Sequence, residues 1–343
     1  MYKLLTFAMA AFASLLPGLA AAQEAAGIDQ RINQIFADYT GWYVSFIFAP
    51  LPGTNFSWIA LWLVVGAVVF TVYFGAIQLK GFWHSIQLVK GDYSDPDDAG
   101  EVSHFQALAT ALSGTVGLGN IAGVAVAVSI GGPGATFWMV IAGLFGMATK
   151  FTECTLGVKY RNEFPDGHVS GGPMYYIVKG FSERGLPLGG FMAVLFSIFT
   201  ILGALGGGNM FQANQAHAQL AGVLGDYPGW ITGVVLAGVT FAVIAGGLKS
   251  IARVTEKIVP FMGIFYVLVS ILILIINWDM IGWAFGQIFM GAFTGLGVVG
   301  GFTGALIQGF RRAAFSNEAG IGSAAIAHSA VRTKEPVTEG YVA

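Results

Sequence analysis

The feature that most constrains this chain is a glycine cluster inside an apolar segment long enough to cross a bilayer. Gly114, Gly117 and Gly119 fall within six positions, and Asn120 follows directly in a segment that runs from about Phe105 to Ile130. Each glycine disfavours a helix by roughly 1 kcal/mol relative to alanine, so the cluster predicts an opened helix. Backbone groups freed in lipid need partners, and they can hold an ion and a small zwitterion near the midplane. Close helix packing through small residues is an equal alternative.

The spacing of these glycines excludes a dinucleotide-binding loop. The pattern from Gly117 to Gly123 is GxGxxxG, with no preceding strand and no soluble βαβ unit. The chain is 55% hydrophobic and 10% charged and has 50 glycines, a balance typical of a polytopic helical membrane protein. A net charge of −2 argues against a nucleic-acid partner, and the only cysteine, Cys154, excludes an intrachain disulfide.

The N-terminal residues have the pattern of a secretory signal. Residues 1–22 combine Lys3, an apolar core and a run of small residues, which predicts cleavage after Ala22 and an external mature N-terminus. An uncleaved first membrane helix is the alternative, although the apolar run is short for that. Residues 23–56 then predict an external amphipathic helix at the membrane interface, ended by Pro50 and Pro52.

The remaining apolar segments predict an all-α polytopic membrane protein built from an inverted repeat with two broken helices. We expect a first transmembrane helix at 57–79, a first repeat of five transmembrane helices at 105–277, and the start of a second repeat at 281–343. Within the first repeat, Ser103 caps the broken helix, and further spans cover 135–158, 190–224, 230–247 and 259–277, with a loop at 159–187. The second broken helix, at 281–310, follows the first by five spans, as in inverted five-helix repeats, and a cytoplasmic segment follows it.

Basic residues support this topology. Alternating the spans from an external N-terminus leaves Arg31 as the only Lys or Arg outside, apart from Lys3 in the signal. This distribution supports the predicted multi-pass topology.

The helix at 190–224 carries an unusual polar face. Asn209, Gln212, Gln215 and Gln219 recur three or four residues apart and therefore share one face. Amides facing lipid are costly, so this face must meet protein, water or a ligand. Ligand contact and interhelical hydrogen bonding are equal alternatives for Gln212, whereas hydrogen bonding is favoured for the other three.

Titratable residues do not suggest an enzyme. Lys150 and Glu153 lie near one end of a span, where snorkelling or a structural ion pair is favoured over a functional site. The five histidines are scattered and have no metal-ligand spacing or nucleophile pattern with them: His84, His104, His168, His217 and His328. The sequence therefore predicts no catalytic residues and no metal beyond a transported ion.

Three motifs together resemble the alanine/glycine:cation symporter family, also called the sodium:alanine symporter family. They are SGTVGLGNIAG at 113–123, GNMFQAN at 208–214 and FSNEAGIGS at 315–323. The pentapeptide at 116–120 also resembles the first core helix of neurotransmitter:sodium symporters. Both families have the leucine-transporter fold, and the resemblance covers nearly the whole mature chain.

This resemblance implies sodium-driven uptake of alanine, glycine or similar small amino acids by a monomer, through alternating access. It implies substrate contacts from the first broken helix, from the polar helix and from the second break, where Phe302 limits side-chain size. The implied substrate residues are Thr115, Gly117, Gly119, Asn120, Gln212, Gly301, Phe302 and Thr303. Sodium, the co-transported ion, is implied at the main-chain carbonyls of Ser113 and Val116.

Members of the family continue for roughly four more membrane helices beyond the position of Ala343. We therefore expect this chain to be a fragment that does not transport alone. A proton-coupled carrier of the same fold is one alternative, with Glu153 or His217 as the buried titratable group. A membrane sensor that binds an amino acid without transporting it is another.

Overall fold

The structure is a computed structural model that describes residues 28–54, 56–294 and 301–343. The chain separates into two units, residues 1–59 and residues 60–343. The predicted signal peptide at 1–22 lies outside the described residues.

The described part of the first unit contains a long helix, α1 (Ile28–Ile47), where the sequence predicts an amphipathic helix. The chain leaves α1 through a short turn in which Pro50 and Ser57 form an isolated bridge. The Trp58 indole N–H donates to the carbonyl of Phe46 at 2.8 Å, and the two rings pack with centroids 5.9 Å apart. These contacts fix the turn after α1, while the placement of α1 at the membrane interface stays a prediction.

The second unit is almost entirely helical in its described part. Its helices are α2 (Trp58–Tyr73), which begins at the end of the first unit, α3 (Ile77–Lys80), α4 (Phe82–Lys90), α5 (His104–Thr115), α6 (Ala122–Gly131), α7 (Gly134–Lys159), α8 (Pro173–Glu183), α9 (Gly189–Gly203), α10 (Phe211–Leu224), α11 (Gly229–Ile244), α12 (Gly247–Ile276), α13 (Ile281–Phe293), α14 (Gly301–Asn317), α15 (Ser323–His328) and α16 (Pro336–Val342). A π-helix at Ala204–Met210 joins α9 to α10, and a 3₁₀ turn at Trp278–Met280 precedes α13. Two short strands, β1 (Asn162–Glu163) and β2 (Val169–Ser170), pair antiparallel with Asn162 opposite Ser170.

Several helices are apolar enough for a membrane. Among the described residues, three stretches are both long and apolar enough to cross one: α7, the stretch Gly189–Leu224, and α12. Three shorter helices, α2, α6 and α11, are also apolar. The chain is therefore a helical, multi-pass membrane protein.

The first predicted break is confirmed, and so is its cap. The Ser103 hydroxyl accepts the Gln106 amide at 3.2 Å, while the Gln106 side chain accepts the Ser103 amide at 3.1 Å, so a capping box starts α5. The helix ends at Thr115 and resumes as α6 at Ala122. The second predicted break lies between α13 and α14, where residues 295–300 are outside the described part.

Three sequence expectations need correction. The predicted loop at 159–187 contains the hairpin β1–β2 and the helix α8, because Pro173 at the first turn suits a helix start. The span predicted at 259–277 starts earlier, since α12 begins at Gly247 and accommodates Pro260. The segment after α14, predicted only as cytoplasmic, forms α15 and α16 and is largely buried.

Helix α7 is the centre of the second unit and packs against α6, α8, α13, α14, α15 and α16. Its start approaches α13 so closely that a Cβ atom added at Gly134 would lie 2.2 Å from the carbonyl carbon of Gly291. Next to this contact, the Trp138 indole donates to the carbonyl of Ala292 at 3.1 Å. Small residues therefore let the backbones of α7 and α13 touch.

Residues 330–334 are hydrogen-bonded to the loop before α5. The Arg332 amide donates to the Val102 carbonyl at 2.9 Å, and the Glu101 amide donates to the Ala330 carbonyl at 2.8 Å. Nearby, the Lys334 ammonium forms a 2.6 Å salt bridge with Asp98, whose other oxygen accepts the Lys334 amide at 3.1 Å. The hydrogen bonds from Lys334 lower the pKa of the Asp98 carboxyl.

Candidate functional site

The first break, residues 116–121, is the non-helical segment between α5 and α6. Val116 is extended, with φ −85° and ψ 104°, and its amide makes the last bond of α5, to the Leu112 carbonyl at 2.7 Å. The Asn120 side chain then reaches back and accepts the Gly117 amide at 3.1 Å. Asn120 thereby acts as a local cap, which explains why an amide residue follows the glycines.

This geometry releases two carbonyls from the helical pattern. In a continuous helix the Ser113 carbonyl would accept the Gly117 amide, and the Val116 carbonyl would accept the Asn120 amide. Here the Gly117 amide donates to the Asn120 side chain, and the Asn120 amide donates to the Gly117 carbonyl at 3.1 Å. The two carbonyls that the resemblance implies for sodium are therefore those whose helical donors are bonded elsewhere.

The polar helix meets the break at Gly117. A Cβ atom added at Gly117 would lie 3.2 Å from the Gln212 amide nitrogen, so the Gln212 side chain lies against this glycine. The π-helix at Ala204–Met210 ends immediately before α10, which carries Gln212. Irregular π segments often accompany functional sites, because they change the direction in which the following residues point.

The break also approaches the end of α14. A Cβ atom at Gly119 would lie 3.0 Å from the Ser316 Cα and 3.4 Å from the Phe315 ring, and Gly119 is buried. Only a glycine fits this approach without displacing backbone atoms. The structure therefore joins two of the motifs that the sequence singled out, 113–123 and 315–323.

The other implied site residues are less defined. The Thr115 hydroxyl donates to the Ala111 carbonyl at 3.1 Å, a bond within α5 that leaves its oxygen able to accept. Gly301, Phe302 and Thr303 form the first turn of α14, and their side chains lie outside the described part. The structure thus brings Gly117, Asn120 and Gln212 together and gives no side-chain contact for Phe302 or Thr303.

The two groups considered for proton coupling have other contacts. The Lys150 ammonium pairs with the Glu153 carboxylate at 3.4 Å, both buried, and Glu153 accepts the Gly322 amide at 3.1 Å. Of the two favoured interpretations, snorkelling and an ion pair, the structure shows the ion pair.

His217 belongs to a small polar group between α10 and α11. Its Nδ1 lies 3.1 Å from the Thr232 hydroxyl, which is 2.7 Å from the Tyr227 hydroxyl, and the His217 and Tyr227 rings are in contact. The polar partner of the His217 imidazole is therefore a hydroxyl at the start of α11, and its ring partner lies in the loop before that helix.

Sequence reasoning missed the shape of the turn after α14. Glu318 has φ 52°, and Gly320 and Gly322 both have φ 87°, so three residues in five are left-handed. The Glu318 carboxylate accepts the Ser323 hydroxyl at 2.6 Å, and Glu153 holds the Gly322 amide. The glycine spacing of motif 315–323 was the signal that could have predicted this turn.

Sequence reasoning was also wrong about two histidines. His104 and His328 are not scattered: both imidazoles bond to the buried carboxylate of Glu339. They are 224 residues apart in the chain numbering, so no local spacing could have indicated the contact. Among the described residues, no group of three or more His, Cys, Asp or Glu side chains is arranged to hold a metal ion.

Comparison with known proteins places this architecture in a family. The model of the sodium:alanine symporter family matches residues 43–343. The sodium/alanine symporter AgcS of Methanococcus maripaludis is 45% identical over 82% of this chain and 62% of its own length. A putative sodium/proton-dependent alanine carrier protein, YrbD of Bacillus subtilis, is 39% identical over 75% of this chain and 51% of its own.

A probable sodium/glutamine symporter, GlnT of Bacillus subtilis, is 36% identical over 70% of this chain and 49% of its own length. The chain thus spans about half to three-fifths of the length of these relatives. The family match extends over most of the chain and includes all three motifs. The chain belongs to the sodium:alanine symporter family.

Proposed function

We propose that the protein is a sodium-coupled symporter that carries small neutral amino acids, alanine and glycine, into the cell by alternating access. The observation that carries this proposal is the first break, where released carbonyls, free glycine backbone and the Gln212 amide meet. Such a segment offers donors to a carboxylate and carbonyl dipoles to a small cation within one helix interruption. The similarity to AgcS, a sodium/alanine symporter, supports the same assignment.

In this proposal, the first break supplies both ligands' main contacts. Sodium binds the carbonyls of Ser113 and Val116, and the amino acid binds Thr115, Gly117, Gly119 and Asn120. Gln212 contacts the substrate from α10, while Gly301, Phe302 and Thr303 approach from α14, with Phe302 limiting side-chain size. The absence of a side chain at Gly117 and Gly119 lets Gln212 and α14 lie directly against the break that holds the substrate.

The site lies in the inner membrane in a monomer whose mature N-terminus is external. Binding of the two ligands is reciprocal, since sodium raises amino-acid affinity by the factor by which the amino acid raises sodium affinity. Measuring alanine affinity at several sodium concentrations therefore tests the coupling without any transport assay.

The residue assignment is tested by alanine binding to the purified full-length protein. Asn120→Ala and Gln212→Ala should each weaken binding roughly 10–100-fold, as expected for loss of a hydrogen bond to a charged ligand. Gln219→Ala is the matched control, because it removes the same type of side chain two turns further along the same face. Unchanged affinity in the first two variants, with normal expression, would remove Asn120 and Gln212 from the site.

A proton-coupled carrier is the second candidate. It is favoured by the similarity to YrbD, which is described as a sodium/proton-dependent alanine carrier protein. Alanine uptake driven by a pH gradient with no sodium present would favour this candidate over sodium coupling.

A further inference from the structure

Three titratable side chains that the proposed transport site does not use meet inside the protein. His104 is the first residue of α5, His328 is the last residue of α15, and Glu339 lies in α16. The Nδ1 atom of His104 contacts one carboxylate oxygen of Glu339, and the Nδ1 atom of His328 contacts the other. Their side chains are 3%, 1% and 0% exposed for His104, His328 and Glu339, so bulk water does not solvate these charges.

The charge of Glu339 has to be balanced within this group. The buried or paired cations nearby are committed elsewhere: Lys150 pairs with Glu153, and Arg161 pairs with Glu163. With both imidazoles neutral, the group carries one buried negative charge, whereas one added proton makes it neutral. A buried charge without an opposite partner is strongly unfavourable, so the singly protonated group is the stable form.

The two imidazoles favour the ionised form of the Glu339 carboxyl. Burial opposes ionisation of the Glu339 carboxyl, but the neighbouring His328 and His104 outweigh it and lower the pKa of that carboxyl. Because the carboxylate bonds both rings through different oxygens, the three side chains bind the extra proton as one coupled group.

We propose that His104, Glu339 and His328 form a proton-binding site that fastens the C-terminal segment, residues 323–342, to the first turn of α5. The ligand of this site is a single proton. When the proton leaves, the buried carboxylate loses its counter-charge, and the contact between α5 and α16 weakens. The part of the C-terminal segment held by backbone bonds to residues 101 and 102 stays attached, so the change is confined to the contact around Glu339.

Other ionisable groups on the surrounding helices do not replace this proton. On α7, the buried Cys154 thiol is within electrostatic range of Glu339, and the Lys150 ammonium lies 3.4 Å from the Glu153 carboxylate. On α4, His84 packs against the ring of Tyr341 from α16. On α12, which packs on α5, the nearest contact is Glu256, which accepts from Gln106 at 2.8 Å, and the further charges there are Lys249, Arg253 and Lys257.

The direction of the pH effect follows from this charge balance. The folded protein binds the proton more tightly than the unfolded chain does, since only the folded state buries Glu339. The stabilisation from this proton is therefore lost as the pH rises and the group releases it. At the acid end, it is lost again when the pH falls through the lowered pKa of the Glu339 carboxyl and the carboxylate is protonated. The loss weakens the contact that His104 makes in the first turn of α5, and the first break begins twelve residues later, at the end of that helix.

Nitrogen-15 NMR of the full-length protein labelled at histidine tests proton binding, with His104→Gln and His328→Gln assigning the two resonances. We expect both imidazoles to gain positive character over one common transition as the pH is lowered. In Glu339→Gln, whose amide can still bond both rings, that transition should move down by more than about one pH unit. His168 is the internal control, because its pair with Glu101 at 3.4 Å is 55% exposed on the histidine side. A transition unaffected by Glu339→Gln would overturn the proposal.

Hydrogen exchange tests the fastening separately. After correction for intrinsic rates, protection of the Gln106 and Ala107 amides should fall several-fold above the transition in the wild-type protein. In Glu339→Gln, the same protection should not change with pH over that range. Equal pH dependence in both proteins would show that the proton does not fasten α5, even if it binds. Neither experiment depends on what the protein transports.

Discussion

Replacing Arg161 with methionine should destabilise the protein more than any other single arginine change in the described part. The Arg161 side chain is 2% exposed, and its guanidinium joins the strand region that carries it to the loop at Ala99 and to residues 329–333. It donates to the carbonyls of Ser329 at 3.1 Å, Val331 at 2.6 Å, Ala99 at 2.9 Å and Thr333 at 2.8 Å. No other side chain is placed to satisfy these four acceptors together.

The magnitude follows from the acceptors left behind. The Ala99 carbonyl keeps the Thr333 amide as a donor at 3.3 Å, so three buried carbonyls are left without one. Each such loss costs about 1–3 kcal/mol, which gives ~3 kcal/mol at the low end. At ~2 °C per kcal/mol for a large domain, the midpoint of thermal unfolding should fall by about 6 °C. The half-exposed Glu163, which also accepts from Arg161 at 2.8 Å, adds little, because pairs with such exposure contribute less than about 1 kcal/mol.

Thermal unfolding of the purified full-length protein in detergent measures this effect. Arg184→Met is the matched control, since Arg184 makes one long bond, to the Gly180 carbonyl at 3.5 Å, on an exposed part of the chain. We expect its midpoint to stay within about 2 °C of the wild type, as for most surface substitutions. Equal midpoints for the two variants would refute the view that Arg161 holds these segments together.

Three further predictions concern the break, the buried pair and the C-terminal loop. Gly119→Ala should lower the free energy of unfolding by about 1–3 kcal/mol and weaken alanine binding, because the added Cβ would lie 3.0 Å from the backbone of α14. Gly114→Ala is the control: its Cβ would have no neighbour within 4 Å, so thermal unfolding and alanine titration should both match the wild type. Lys150→Met should lower the free energy of unfolding by about 3–5 kcal/mol, because it leaves the Glu153 carboxylate buried without its partner. The double variant with Glu153→Gln should regain most of the lost stability, and thermal unfolding measures both. Because its lysine partner lowers the pKa of Asp98, the stabilisation from this salt bridge should be fully present above the ordinary pKa of 3.8 and be lost as the pH falls through the folded value. At neutral pH, Asp98→Asn should speed amide exchange at residue 334, and unchanged exchange in that variant would contradict the role of the salt bridge.

The sequence predicted the helices well where glycine and apolar patterns act locally. The opening after Thr115 follows from glycine's low helix propensity, and the cap at Ser103 follows from the spacing to Gln106. Both depend on residues within a few positions of each other, which is why they could be read without a structure.

Contacts between distant segments could not be predicted in this way. Glu339 meets His104 across 235 positions, and Arg161 meets carbonyls about 170 positions away. These polar groups become partners only because folding buries them next to each other, and the residues around them in the sequence show no periodic pattern that would indicate the contact. The loop at 159–187 was underestimated for the same reason, because its hairpin and α8 are fixed by packing of Gly171 and Gly172 against residues 326–329.

The candidate site falls between these cases. Its first half, residues 113–120, is local and was predicted from glycines and a resemblance. Its contact with Gln212 needs the tertiary fold, although the polar periodicity of that helix had already singled out the residue. The polar face was ambiguous from sequence, since a hydrogen bond between helices and a ligand contact require the same amide.

The central claim is sodium-coupled transport, and alanine uptake into proteoliposomes containing the full-length protein tests it most directly. The external solution holds either sodium or potassium, with the pH clamped equal on both sides. The account predicts accumulation of alanine only with an inward sodium gradient, and loss of accumulation in Asn120→Ala. Equal uptake in sodium and potassium would contradict it.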